Sequence, residues 1–169
     1  TCLNATGSTT RTVQINVFRR ITGVVVDGYI TGSTVFSDMN GNLKLDTGEE
    51  AVTSASDGSF TLDAGNGNVV SLGGFDTDMS SALDDLLLIT PLRESQAEAV
   101  VSPITTIASF MENPEDLNAI LGVDASIDLM TTDPVAKKGT SDEYDLLYEK
   151  GNQLTVLAYS LQSATGETG

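Results

Sequence analysis

The segment best suited to chemistry runs from Asp38 to Glu49, where oxygen-bearing side chains fall at loop positions 1, 3, 5, 9 and 12 as Asp38, Asn40, Asn42, Asp46 and Glu49. Calcium takes roughly six to eight oxygens at about 2.3–2.6 Å, and this spacing lets one loop curl round the ion, with a terminal Glu binding through both oxygens. The main-chain carbonyl of Lys44, at position 7, completes the predicted metal set, and Asp46 binds directly or through a water. One departure stands out: the Gly usual at position 6 is Leu43, whereas a Gly sits at position 4 as Gly41. The turn is therefore expected to be built differently. Both flanks read as strands, so the loop is expected without a helix on either side. The competing reading is a polar, Asx-rich hairpin that binds no metal.

Composition narrows the alternatives. The 169 residues carry 24 acids and 8 bases, a formal net charge of -16, which opposes a surface built to neutralise phosphates. Nucleic acid and anionic membrane are therefore not expected as partners. Bound divalent cations relieve such self-repulsion locally, and Ca2+ is the expected cofactor. There is no His and a single Cys, Cys2, so soft-metal sites and Ser-His or Cys-His nucleophile pairs are not available. The chain is read as non-enzymatic. Its longest apolar run, Leu86 to Ile89, is far below the ~20 residues needed to span a bilayer. Because it opens on Thr1-Cys2 without an initiator Met, it reads as part of something longer.

The elements that would position the loop come next. Residues 1–20 look like a terminal strand or hairpin: Val13, Ile15 and Val17 alternate with Thr12, Gln14 and Asn16, and Arg19-Arg20 form a joint. From 21 to 95, short strands are predicted at Ile21 to Val26, Ser33 to Phe36, Ser59 to Leu62, Val69 to Leu72 and Leu86 to Ile89. The turns between them are Asp27-Gly28, Asn40-Gly41, Asp57-Gly58 and Gly65-Asn66-Gly67. That spacing suggests a small Greek-key β-sandwich. Asp76-Thr77-Asp78 reads as an exposed turn, with a second metal site as the alternative. From 96 to 169 the pattern turns helical, giving an α+β chain. Helix starts are predicted at Ser102-Pro103, Asn113-Pro114 and Asp133-Pro134, a stop at Gly122, and a last helix opening on Thr140 and Glu143 in capping-box spacing. These helices are expected to dock on the sandwich.

Over residues 21–62 the chain resembles the B-type and carboxypeptidase-regulatory-like modules of large bacterial surface proteins and adhesins. Gly32-Ser33-Thr34-Val35-Phe36, the Asp38 to Glu49 loop, and Asp57-Gly58-Ser59-Phe60 carry the likeness. A weaker one links Val101 to Ile107, Leu121-Gly122-Val123 and Asp128-Leu129 to the helical region that often follows such modules. The resemblance implies a transthyretin-like sandwich, calcium that stiffens inter-repeat geometry, and an extracellular or cell-surface role in an adhesin, stalk or filament. Some members lock themselves with a Lys-Asn isopeptide from a Lys on the first strand, and no Lys stands there. The expected partners are neighbouring modules or copies of the chain, with residues 12–18 either joining them through strand addition or packing as a remnant on their own domain. The alternative function is a calcium-dependent adhesin head gripping a peptide or glycan, though five Phe, four Tyr and no Trp leave few aromatic platforms.

Overall fold

The computed structural model describes residues 18–165, with side chains described through Leu157. Among the described residues the chain is α+β, with ten strands in three sheets and four helices. The strand predicted over residues 12–18 and its hairpin lie outside the described residues, apart from Phe18.

The first sheet has the order β10-β1-β5, formed by β1 (Arg19–Val25), β5 (Ser59–Ala64) and β10 (Glu98–Val101). Arg19 and Arg20, expected as a joint, instead open β1, where Arg20 faces Asp63 across the antiparallel pair and bonds its carboxylate at 3.1 Å. The second sheet, β4-β3-β6-β9, holds β3 (Thr34–Asp38), β4 (Ala51–Thr53), β6 (Asn68–Leu72) and β9 (Leu87–Pro91), all antiparallel. A third, small sheet joins the two-residue strands β2 (Ile30–Thr31), β7 (Phe75–Asp76) and β8 (Ser81–Ala82).

Alternation explains how the two larger sheets meet. Along β5 the residues Phe60, Leu62 and Ala64 are buried while Ser59 and Thr61 face out, as a period-2 strand with one core face requires. These residues share one core with Ile21 and Val25 of β1 and with Val35, Val69 and Leu88 of the second sheet. Phe36, Val70 and Ile89 lie in one cross-strand row and form a separate buried cluster. Leu43, from the acidic loop, packs onto that row.

Glu98–Val101 lies in the stretch expected to be helical, yet it forms β10, parallel to β1 with Gly23 opposite Ala99. Helices follow it closely. Ser102 caps α1 (Pro103–Ser109), and its side chain accepts from the Thr105 amide at 3.1 Å while Thr105 Oγ1 accepts from the Ser102 amide at 2.9 Å. Asn113-Pro114 opens a short 3-10 turn that leads into α2 (Leu117–Leu121), and Gly122 ends it in the left-handed conformation expected of a C-cap. Asp133 caps α3 (Pro134–Lys137), accepting from Val135 and Ala136 at 2.8 and 3.0 Å. The last helix, α4 (Asp142–Thr165), starts later than the Thr140 expectation. Thr140 Oγ1 donates to the Lys137 carbonyl instead of capping, and the Tyr144 amide donates to Ser141 Oγ at 3.4 Å. A second core of Ile104, Ala108, Leu117, Leu129, Met130 and Leu147, among others, holds these helices together. The Val100 amide donates to the Met130 carbonyl, which ties that helical unit to the sheet.

Candidate metal centre

The acidic loop is a long connection inside a hairpin. Phe36 pairs with Ala51 and the Ser37 amide donates to the Glu50 carbonyl, so β3 and β4 clamp residues 38 to 49 at their base. Asp38 ends β3 and is 1% exposed. A carboxylate so buried needs donors around it. Its Oδ1 accepts from the Gly41 and Asn42 amides at 2.8 and 3.2 Å, and its Oδ2 from the Leu43 amide at 3.0 Å. Glu49 closes the far end. Its Oε1 accepts from the Met39 amide at 2.8 Å and its Oε2 from the Asp46 amide at 3.0 Å.

Between these two clasps the remaining side chains converge. Asn40 Oδ1 accepts from the Asn42 amide at 3.0 Å, and Asn42 Oδ1 from the Lys44 amide at 2.8 Å, two successive Asx turns. Both Asn side-chain amides then donate to one oxygen, Asp46 Oδ2, at 2.8 and 2.6 Å. Those donors, Asn40 first and then Asn42, hold the Asp46 carboxyl below its ordinary range, with the Lys44 charge assisting. Five of the six residues named from the sequence, Asp38, Asn40, Asn42, Asp46 and Glu49, are thus joined in one hydrogen-bonded ring that closes through the Met39 amide next to Asp38. Lys44 contributes its backbone to the same ring through the bond to Asn42.

The position-6 departure finds a physical answer. Leu43 takes φ 61, the left-handed conformation that a Gly would adopt there. A left-handed non-Gly residue costs roughly 1–2 kcal/mol. Packing of the Leu43 side chain against the Phe36, Val70 and Ile89 cluster offsets that cost, so the loop keeps its turn and gains an apolar anchor.

As to fit, the ring is rich in oxygen and carries no soft donor, the donor chemistry of a hard cation. Among the described residues no three or more His, Cys, Asp or Glu side chains are arranged to hold a metal ion. Calcium would therefore have to be bound with the neutral oxygens of Asn40, Asn42 and the Lys44 carbonyl in the set. The ion would supply to Asp46 the positive partner that the two Asn amides now supply.

Comparison of the chain with family models, with curated proteins and with solved structures finds no match. The site is therefore read from its own residues.

A second acidic group was only partly legible. Asp76, expected in an exposed turn, is fully buried, whereas Asp78 beside it is exposed. Asp76 Oδ1 accepts from the Asp78 and Met79 amides at 2.7 and 3.0 Å. Next to it stands Asp27, which the sequence marked only as half of a turn with Gly28. Asp27 is 7% exposed, and Thr155 of α4 donates to its Oδ1 at 2.7 Å.

Burial pushes the Asp27 carboxyl up to about 6, with the Asp76 charge adding to the effect and the Thr155 bond opposing it. The folded chain therefore binds this proton more tightly than the unfolded chain, where the value is 3.8. The stability it contributes is full below that value and is lost as pH rises through about 6. At ~1.4 kcal/mol per pH unit the loss is roughly 3 kcal/mol. With divalent cations chelated, Asp27→Asn should raise the melting temperature at pH 7 and leave it nearly unchanged at pH 4. Melting curves of both proteins at the two pH values check this. An Asp27→Asn protein that melts lower than wild type at pH 7 would show the charged carboxylate to be well solvated or paired.

Proposed function

We propose that the chain is a non-enzymatic, calcium-stabilised structural module of a bacterial extracellular adhesin, stalk or filament. The observation that carries the reading is the ring of Asp38, Asn40, Asn42, Asp46 and Glu49, closed through the Met39 amide, in the β3–β4 connection. Asp38, Asn40, Asn42, the Lys44 carbonyl, Asp46 and Glu49 are the calcium ligands. A net charge of -16 makes capture of a divalent cation favourable at long range as well as in the loop.

The two larger sheets share a core, which suits a small Greek-key β-sandwich of transthyretin-like type with the helices docked beside it. In this reading calcium fixes the hairpin against the sheet, and neighbouring modules or further copies of the chain join end to end, with residues 12–18 adding a strand. An outer location fits the resemblance noted over residues 21–62 and the millimolar calcium that such a loop would meet there. Among the described residues no helix is long and apolar enough to cross a membrane.

Trypsin gives a direct readout of the loop. Lys44 is exposed, and the sequence has no other Lys or Arg between Arg20 and Arg93. Cleavage after Lys44 therefore yields diagnostic fragments. Calcium should slow this cut by at least about tenfold relative to excess chelator, because opening the loop must then also release the ion. Equal cutting rates in the two conditions would remove the loop from the proposal.

A further inference from the structure

The cleft between the Asp27-Gly28 turn, the turn after β7 and helix α4 is the second place where oxygen chemistry collects. Its volume is about 180 Å³, and Asp27, Asp76, Asp78, Asn152 and Thr155 line it together with Tyr148. Asp27 and Asp76 are both more than nine-tenths buried. Each has one carboxylate oxygen tied down, Asp27 Oδ1 by Thr155 and Asp76 Oδ1 by two backbone amides. Each also has the other oxygen, Oδ2, buried without a hydrogen-bond partner. A bare buried carboxylate oxygen is costly, and here the two residues that each carry one line the same cleft.

The two turns are pressed together. A Cβ added to Gly28 would stand 2.7 Å from Asp76 Oδ1 and 3.1 Å from the Asp78 Cβ, and Gly28 holds φ 74. Only a residue without a side chain lets the Asp27 turn approach the Asp76 carboxylate this closely. No Lys or Arg is among the residues that line the cleft, so the positive charge that would satisfy both Oδ2 atoms is not supplied by its walls.

We infer that the cleft of Asp27 and Asp76 is a second binding site for a hard divalent cation, calcium, distinct from the Asp38 to Glu49 loop. The two buried carboxylates supply the charge, the side-chain oxygen of Asn152 supplies a neutral ligand, and Asp78 sits at the exposed rim. A liquid-phase water fills about 30 Å³, so the space admits an ion with several waters of its own. With two buried carboxylates and neutral oxygens, the site uses fewer acids than an all-carboxylate cage. Because Asp27 is held by Thr155 of α4, an ion here would tie the last helix to the sheet, which the hairpin loop cannot do.

The test is a calorimetric calcium titration of the full chain after removal of metal. Wild type should bind a second ion in addition to that of the loop. Asp27→Asn combined with Asp76→Asn should lose one ion and keep the other, while Asp46→Asn combined with Glu49→Gln should lose the other and keep this one. Wild type binding a single ion that the Asp27 and Asp76 changes abolish would sink the loop reading and sustain this one. A protein with both Asp27 and Asp76 replaced that binds as many ions as wild type, as tightly, would overturn the inference. So would a wild type whose only ion is lost with the loop changes. If that pair of changes prevents folding, Asp27→Asn alone, which retains an acceptor for Thr155, is titrated. One of the two affinities should then fall at least about tenfold, and unchanged affinities overturn the inference.

Discussion

Replacement of Asp38 by Ala should abolish calcium binding to the loop and destabilise the fold even in chelator. Asp38 is the first residue of the ring and its most buried member, and its carboxylate receives the amides of Gly41, Asn42 and Leu43. Removing it leaves the Gly41 and Leu43 amides without their acceptor and the Asn42 amide with only its bond to Asn40 Oδ1. Gly41 and Asn42 are exposed and can turn to water, but the Leu43 amide lies under a half-buried side chain in a left-handed turn. Hydrogen bonds to a charged group contribute about 1.5–3 kcal/mol each, and solvent recovers part of that at the two exposed amides. The expected loss is therefore about 3–5 kcal/mol, or roughly 10 °C in melting temperature for a chain of this size. Asp38→Asn keeps one carbonyl oxygen and should lose about half as much. A melting temperature for Asp38→Ala within about 2 °C of wild type would mean that Asp38 does not organise the loop.

Gly23→Ala should be as damaging for a different reason. Gly23 lies in the middle of β1, between β10 on one side and β5 on the other. A Cβ there would collide with the Ala99 carbonyl oxygen and stand 2.5 Å from the Phe60 ring. The aromatic ring can tilt, but the carbonyl is backbone and belongs to the parallel ladder. Overpacking a core usually costs about 1–3 kcal/mol, and a backbone clash puts this case at or above the upper end. Either the protein melts roughly 10 °C lower or β10 leaves β1, which hydrogen exchange at the Ala99 and Val101 amides would register. Gly32→Ala is the matched control: Gly32 has φ 73 and open space around it, so the cost should be only about 1 kcal/mol of backbone strain. Equal effects of the two substitutions would contradict the parallel β1–β10 pairing.

Much of the fold could be read from local pattern. The strand read at Ser59 to Leu62, the Asp57-Gly58 turn and the Ser-Pro and Asp-Pro helix starts carry their structure in neighbouring residues, and all three are found where expected, the strand running on to Ala64. Other features depend on residues far apart in the chain. Val100-Val101 fall in the stretch from 96 that reads as helical. They become strand β10 because β1, some 75 residues earlier, offers a free edge for parallel pairing. The strands β2, β7 and β8 are two residues each, too short for any periodicity to show.

The same distinction applies to the sites. The loop's oxygen-bearing side chains lie within twelve consecutive residues, so their grouping, as distinct from any metal they hold, was legible from spacing alone. That Leu43 could replace a Gly was not legible, because its anchor is a row of side chains on β3, β6 and β9. Asp27 sits in an unremarkable turn and Asp76 at the end of the two-residue strand β7, and only the fold brings them into one cleft with Thr155, which lies 128 residues from Asp27. Asp27 carried no sequence signal beyond its place before Gly28.

The account turns on calcium in the Asp38 to Glu49 loop, and the melting temperature in millimolar calcium and in excess chelator, for wild type and for Asp46→Asn combined with Glu49→Gln, tests it most directly. An ion at a hundred times its dissociation constant stabilises the folded state by about 2.7 kcal/mol. The expected shift from the loop ion is thus roughly 5–10 °C upward in calcium, and the loop variant should lose that part of the wild-type shift. A wild type that melts at the same temperature in both conditions, or a loop variant that keeps the full shift, would contradict it.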